Sequence, residues 1–110
     1  MWQDLGNMFI LVMKNIISRR KIREFWERYP DSEAALKSWY TEAKAANWQN
    51  PAEIKAQFGN ASILKDSRVV FNICGNKYRL IAKINFPASV VYIRFVGTHK
   101  EYDAIDAETV

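Results

Sequence analysis

The pattern of apolar and polar positions divides the chain into a helical first half and a strand-rich second half. In the first half, apolar residues recur at the i, i+3, i+4, i+7 spacing that is typical of an amphipathic helix. One stripe contains Ile22, Phe25, Trp26 and Tyr29, and a second contains Ala35, Leu36, Trp39, Tyr40 and Ala43. We interpret these aromatic residues as core packing rather than as a platform for stacking bases, because helical spacing directs them to one buried face.

Residues that favour helix starts set the boundaries of three predicted helices. Ser18 is suited to cap a helix that begins at the next residue. Pro30 breaks that helix, and Asp31 or Ser32 is predicted to cap the second one. The segment Asn50-Pro51-Ala52-Glu53 predicts a short third helix, since Asn caps well, Pro fits the first helical position and Glu reaches back to the cap.

The second half follows the period of two that is typical of strands. We predict strands over 68–74, 77–86 and 90–96, the first two joined by a hairpin turn at Gly75-Asn76. Period two predicts an apolar face made of Val69, Phe71, Ile73, Leu80, Ala82, Ile84, Val91, Ile93 and Phe95. It predicts an opposite, solvent-exposed face made of Arg68, Val70, Asn72, Arg79, Ile81, Lys83, Tyr92, Arg94 and Val96.

The apolar segment Met8–Met13 is too short to cross a bilayer, which needs ~20 residues. No basic segment precedes it and no small-residue cleavage site follows it, so a secretory signal is not indicated. We predict a buried first strand that continues to Ile17. Residues 1–12 are interpreted either as an N-terminal extension or as the start of that strand, and 13–110 as a single domain.

Composition narrows the chemistry further. A single Cys excludes an internal disulfide, and one His with one Cys argues against a structural zinc site. We therefore expect a cytoplasmic protein without a metal or other cofactor.

The charges are unevenly distributed along the chain. The formal net charge is +4, but the segment 54–100 contains eight Lys or Arg residues and one acid, Asp66. A basic half favours a polyanion such as nucleic acid, or an acidic partner protein, and the alternative is a basic solvated surface. Like charges on neighbouring strands cost stability, so the cationic sheet face of Arg79, Lys83 and Arg94 favours a functional interpretation.

The last predicted strand leads into the only histidine of the protein. Thr98-His99-Lys100-Glu101 has the spacing of a capping box, which predicts a short helix and places His99 beside the strand that carries Arg94. On its own, a single His is more often structural than catalytic, and it is the neighbouring cations that change this interpretation.

These residue types match the needs of RNA cleavage without a metal, in which the 2′-OH attacks the adjacent phosphate. Arg79 and Arg94 suit the phosphorane charge, because a guanidinium group binds two oxygens at once. His99 is a candidate base or acid, and Tyr102 or Lys100 is an alternative proton donor. The candidate RNA-binding residues are Lys65, Arg68, Lys77, Lys83 and Tyr92. Cys74 is interpreted as an incidental thiol rather than a nucleophile.

Several blocks of the sequence resemble the HigB toxins, which belong to the RelE/ParE superfamily of type II toxin–antitoxin systems. The resemblance covers roughly 13–110 and is most specific in Gly75-Asn76-Lys77-Tyr78-Arg79-Leu80 and in Thr98-His99-Lys100-Glu101-Tyr102-Asp103. Further matches are Ile17-Ser18-Arg19, Phe25-Trp26, Tyr29-Pro30-Asp31, Trp39-Tyr40, Lys65, Val70-Phe71-Asn72-Ile73 and Tyr92-Ile93-Arg94. Cys74 departs from the pattern, since a small residue, commonly Gly, is expected there.

The resemblance implies a RelE-like α+β fold, with an N-terminal strand and two to three helices packed on an antiparallel sheet. It implies a ribosome-dependent endoribonuclease that cleaves translated mRNA. The implied partners are mRNA on the ribosome and a HigA-like helix-turn-helix antitoxin, with operator DNA bound only through the toxin–antitoxin complex and no membrane. The catalytic set that it favours is Arg79, Arg94 and His99, followed by Lys100 and Tyr102.

Two other functions stay open from the sequence. A non-catalytic module would use the same basic surface to bind nucleic acid or a partner, with salt-dependent affinity and no turnover. A toxin like those of the ParE branch would inhibit gyrase and cause DNA damage rather than mRNA fragments.

Overall fold

The computed structural model describes residues 15–110, so the predicted strand residues Met8–Met13 lie outside the described part. In chain order the elements are β1 (Asn15–Ile17), α1 (Arg19–Arg28), a 3₁₀ turn (Pro30–Ser32), α2 (Glu33–Ala45), α3 (Pro51–Gln57), β2 (Ser62–Ile63), β3 (Arg68–Ile73), β4 (Tyr78–Asn85), β5 (Val90–Thr98) and α4 (His99–Asp103).

The strands form one five-stranded sheet in the order β1-β5-β4-β3-β2. Strands β2 to β5 pair antiparallel, whereas β1 pairs parallel to β5 through Ile16 and Val91. The predicted α+β fold is confirmed, and the parallel β1 makes the sheet mixed. The short strand β2 was not predicted.

The helix starts follow local sequence signals in three cases. Ser18 accepts a hydrogen bond from the amide of Lys21, and Asn50 accepts one from the amide of Glu53. Thr98 and Glu101 form the complete capping box that the sequence predicts for α4.

The predicted cap of the second helix is wrong. Ser32 Oγ donates to the carbonyl of Tyr29 instead of accepting from α2, and the Asp31 carboxylate accepts from the side chains of Lys77 and Tyr78. Asp31 therefore joins the first helical region to the β3–β4 hairpin rather than terminating a helix.

The core lies between one sheet face and the helices. Ile22 of α1, Leu36 of α2 and Ile54 of α3 are fully buried, and Phe71 contacts Trp39 edge-on. Ile22, Leu36 and Trp39 belong to the predicted helical stripes, and Phe71 belongs to the predicted apolar sheet face. Ile54 was not part of either prediction. The interpretation of the helical aromatic residues as core packing is confirmed for Phe25 and Trp39, which are buried.

A β-bulge changes the face assignment at the end of β5. Ile81 pairs with Phe95 and Ala82 pairs with Ile93, so Arg94 is the extra residue that the β4 ladder skips. Phe95 therefore shares the face of Ile81, and Val96, opposite Leu80, packs against the core. The sequence-based assignment of Phe95 and Val96 is the reverse of this and is wrong, because a bulge breaks the period of two.

The second sheet face is also less exposed than predicted. Val70 and Ile81 are 2% and 0% exposed, and the residues Arg68 and Arg79 are also buried, at 7% and 8% exposed. Arg68 donates to the carbonyl oxygens of Ala107 and Val110, which places the segment after α4 over this face. The sheet is covered on both sides at its centre.

Candidate active site

An open cavity of about 500 Å³ lies where the β3–β4 hairpin, the start of α4 and the end of α1 meet. It is lined by Arg28, Tyr29, Pro30, Asp31, Lys77, Tyr78, Thr98, His99 and Lys100. We call it the His99 cavity. The amide of His99 donates to the carbonyl of Lys77, which fixes α4 to the hairpin. Three cations and the only histidine thus share one open cavity.

His99 is oriented by a carboxylate on its own helix. Its Nδ1 lies 3.1 Å from Oδ2 of Asp103, and the two side chains are 48% and 62% exposed. An ionised carboxylate only accepts hydrogen bonds, so Nδ1 carries the proton in this pair. A neutral His99 then keeps Nε2 free to accept a proton.

Asp31 holds two side chains of the hairpin at the wall of the cavity. Its carboxylate pairs with the Lys77 ammonium and accepts from the Tyr78 hydroxyl at 2.5 Å. The hydrogen bond from Lys77 lowers the pKa of Asp31, and the same bond raises the pKa of Lys77. Donation to Asp31 likewise raises the pKa of Tyr78. Lys77 is therefore a fixed positive charge at neutral pH rather than a proton acceptor.

Arg79 is held in place from several sides. Its guanidinium donates to the carbonyl and to the side-chain oxygen of Asn76, both at 2.9 Å, and it lies 5.6 Å from the ring centre of Tyr102. Tyr102 in turn contacts the ring of Phe95, with 6.5 Å between centroids. Arg79 is thus a buried, pre-oriented cation, and Tyr102 packs against it rather than lining the His99 cavity.

Lys65, Arg68 and Arg94 lie elsewhere, beneath the segment that follows α4. Arg68 and Arg94 both donate to the carbonyl oxygen of Val110, at 2.5 and 3.3 Å, and Lys65 lies 3.8 Å from the carboxylate of Glu108. The prediction that Arg94 acts beside His99 finds no support in this arrangement.

Lys83 and Tyr92 are cross-strand neighbours that line a different cavity of about 430 Å³ at the far end of β4. Lys83 lies four positions after Arg79 along β4, which is roughly 13 Å. The predicted site residues therefore fall into four separate groups, and only Lys77, His99 and Lys100 line the His99 cavity.

Three charged residues that line the cavity or contact His99 were absent from the predicted site: Arg28, Asp31 and Asp103. Asp103 was visible in the sequence as the i, i+4 neighbour of His99 on a predicted helix. Arg28 and Asp31 come from the first half of the chain, and no local signal connects them to a hairpin more than 40 positions away.

Within the described residues, no group of three or more His, Cys, Asp or Glu side chains is placed to hold a metal ion. Among the helices that the structure describes, none is long and apolar enough to cross a membrane.

Comparison with known proteins adds to this geometry. Residues 32–105 match the HigB_toxin family, described as the RelE-like toxic component of a toxin–antitoxin system. The chain belongs to the HigB toxin family. This confirms the resemblance drawn from the GNKYRL and THKEYD blocks, and the match includes every residue of the His99 cavity from Lys77 onward.

Named relatives of the HigB family cover most of the chain. The mRNA interferase toxin HigB of Escherichia coli (strain K12) is 32% identical over 95 residues, which are 84% of this chain and 91% of that protein. The mRNA interferase HigB of Shigella flexneri shows the same identity and coverage. The mRNA interferase HigB of Escherichia coli O6:H1 (strain CFT073) is 31% identical over 93 residues, 83% of this chain and 90% of that protein.

Proposed function

We propose that this HigB-family toxin is an mRNA interferase, a metal-independent endoribonuclease that cleaves translated mRNA on the ribosome. The observation that carries the proposal is the His99–Asp103 pair in a cavity lined by Arg28, Lys77 and Lys100. The names of the relatives support the same activity. An oriented imidazole among cations suits a phosphodiester, because it supplies proton transfer where negative charge develops.

In the proposed reaction His99 is the general base and the 2′-OH of the substrate is the nucleophile. Nε2 of His99 takes the 2′-OH proton, the 2′-oxygen bonds to phosphorus, and the bond from phosphorus to the 5′-oxygen breaks. The 5′-oxygen takes a proton from Lys100, which lines the cavity. The products are a 2′,3′-cyclic phosphate and a 5′-OH end. Lys77 and Arg28 stabilise the phosphorane charge.

Arg79 lies near this site and contributes positive charge to it. Its buried guanidinium, fixed by Asn76 and Tyr102, adds positive potential near the hairpin without lining the cavity. We therefore assign Tyr102 the role of positioning Arg79 rather than that of a proton donor. We propose that five of the predicted residues act outside the reacting centre. They are Lys65, Arg68, Lys83, Tyr92 and Arg94.

Mapping RNA 5′ ends after induced expression tests the activity. We expect new ends within coding regions and arrested growth, and we expect His99→Gln to reduce cleavage by roughly 10²–10⁴-fold at equal abundance. Lys83→Gln, which removes a cation that lines a different cavity, is the matched control and should cleave far more than His99→Gln. Intact mRNA with DNA damage would favour a gyrase inhibitor, and binding without new ends would favour a non-catalytic module.

Asp103→Asn separates orientation from folding. Because Asp103 fixes the proton on Nδ1, its replacement should reduce cleavage by roughly tenfold or more while leaving the thermal midpoint nearly unchanged, since exposed pairs contribute little stability. The chain has one His, so ¹⁵N spectra report its tautomer without overlap. A parent protein that carries the proton mainly on Nε2 would contradict the base assignment.

The partners are proposed from family membership. A toxin–antitoxin system requires an antitoxin, and we propose a HigA-like helix-turn-helix protein, through which the complex binds operator DNA. The toxin acts in the cytoplasm, where ribosomes translate mRNA. Co-expression with the product of the adjacent gene should restore growth and give a stable complex on gel filtration, and continued arrest would refute that pairing.

A further inference from the structure

A second groove, along α1, shares the lining residue Arg28 with the His99 cavity. This groove has a volume of about 460 Å³ and lies between α1 and the end of β5. It is lined by Lys21, Glu24, Phe25, Arg28, Phe95 and Val96. Arg28 lines both cavities, so the groove and the His99 cavity are neighbours at this residue. We call it the α1 groove.

The groove exists because β1 is short. Its last residue, Ile17, pairs with Tyr92, so among the described residues no strand pairs with β5 on that edge from Ile93 onward. Lys21 of α1 reaches this edge, where its Nζ lies 3.5 Å from the carbonyl oxygen of Ile93. The helix and the uncovered strand edge form the two walls.

The charges of the α1 groove favour an anion. Lys21 and Arg28 lie on one helix face seven residues apart, about 10 Å along the axis. The carboxylate of Glu24 lies between them but is already paired with Arg20 at 2.9 Å. The first turn of α1 contains no acidic residue, although the helix dipole favours acids there. This charge distribution costs helix stability, and an anion bound beside Lys21 would offset that cost.

The groove also offers apolar surface beside its cations. The half-buried Phe95, which the bulge moves out of the core, and Val96 line its strand side. Proteins generally bind single-stranded nucleic acid in this way: cations contact the backbone phosphates, and the bases lie against aromatic or apolar side chains.

We infer that the α1 groove binds the single-stranded RNA that flanks the scissile phosphate. Lys21 and Arg28 contact phosphates, and Phe95 with Val96 contacts a base. The inference rests on the proposed function, because it takes the His99 cavity as the cleavage site. The inference also requires a minimum length of RNA, because a substrate that fills only the His99 cavity does not reach Lys21.

Fluorescence anisotropy with 2′-O-methyl oligouridylates, which cannot be cleaved, tests the groove. The probes are a trimer and a decamer. Each phosphate contact contributes a slope of about 0.7 in log affinity against log salt, or roughly fivefold at 0.1 M salt. Lys21→Ala with Arg28→Ala should therefore lower decamer affinity by roughly 25-fold and reduce the slope by about 1.4. The trimer should lose at most the single contact with Arg28.

The matched control is Arg23→Ala with Lys44→Ala, which removes the same charge from helix positions outside the groove. This control should change the slope by much less than 1.4. Equal losses in the two double variants would overturn the inference in favour of general electrostatic attraction, and so would equal losses for trimer and decamer.

Cleavage assays distinguish a failure of the groove inference from a failure of the proposed function. His99→Gln should bind the decamer like the parent while losing cleavage. If the parent cleaves mRNA but the groove variant binds the decamer normally, the groove inference fails and the proposed function stands. If the parent binds through the groove but does not cleave, the proposed function fails and the groove remains an RNA site.

Discussion

Gly97 is the position where a single methyl group has the most specific predicted effect. A Cβ at Gly97 would lie 2.4 Å from Cζ and 2.8 Å from Cε2 of Phe95, and 3.2 Å from Oε1 of Glu101. Ordinary carbon contacts begin near 3.5 Å, so the Phe95 ring must move by about 1 Å. Glu101 also accepts from the amide of Thr98, so the helix that carries His99 is disturbed as well.

The expected change in the free energy of unfolding is the difference between two opposing contributions. Overpacking costs about 1–3 kcal/mol, and replacing Gly by Ala returns about 0.4–1 kcal/mol by restricting the unfolded chain. The net loss for Gly97→Ala is therefore about 1–2 kcal/mol, or roughly 4–10 °C in thermal midpoint for a domain of this size. Cleavage should fall too, because Thr98 and Glu101 hold the first turn before His99.

Gly59→Ala is the matched control, since a Cβ there meets nothing within 4 Å. Thermal unfolding followed by circular dichroism compares the two variants with the parent. Gly59→Ala should be neutral or slightly stabilising. If Gly97→Ala unfolded at the same temperature as Gly59→Ala, Phe95 would not lie over Gly97, and the bulge that places it there would be wrong.

Three further changes have predicted outcomes. Cys74→Gly should stabilise the hairpin by up to about 1 kcal/mol, measured by urea unfolding, because Cys74 has φ of 56° and glycine adopts this region without strain. Asp31→Asn should lower the thermal midpoint at pH 7. The difference from the parent should vanish in acid as the lowered pKa of Asp31 is passed, and shrink in alkali as the raised pKa values of Lys77 and Tyr78 are passed. A difference that did not shrink as the pH fell would contradict the ion-pair explanation. Thr98→Ala should cost about 1 kcal/mol and reduce cleavage, and Thr98→Ser should restore both if the cap is the cause.

Local signals predicted the elements that depend on neighbouring residues. Ser18, Asn50 and Thr98 cap helices as expected, because a cap needs only an amide two or three positions away. The hairpin turn is likewise centred on Gly75-Asn76, with the amide of Lys77 donating to the carbonyl of Cys74. Because the turn and the capping box are also local signals, they correctly placed Lys77 at the hairpin and His99 and Lys100 at the start of α4.

The failures have a different physical origin. Period two assumes an unbroken ladder, and a single skipped residue, Arg94, exchanges the faces of Phe95 and Val96. The partner of Asp31 is 46 positions away, so a cap and an ion pair are indistinguishable from the sequence. Burial of Arg68 depends on a segment folding back over the sheet, which no periodicity encodes.

The parallel pairing of β1 with β5 has a consequence for how the protein folds during synthesis. Asn15 pairs with Val90, so the edge strand waits for a partner that is translated 75 positions later. Contacts that span most of a sequence form slowly, since the closure entropy is lost before the contact is gained. His99 follows β5, so the proposed active site is completed last. A nascent toxin therefore lacks a complete cleavage site until β5 and α4 have been translated.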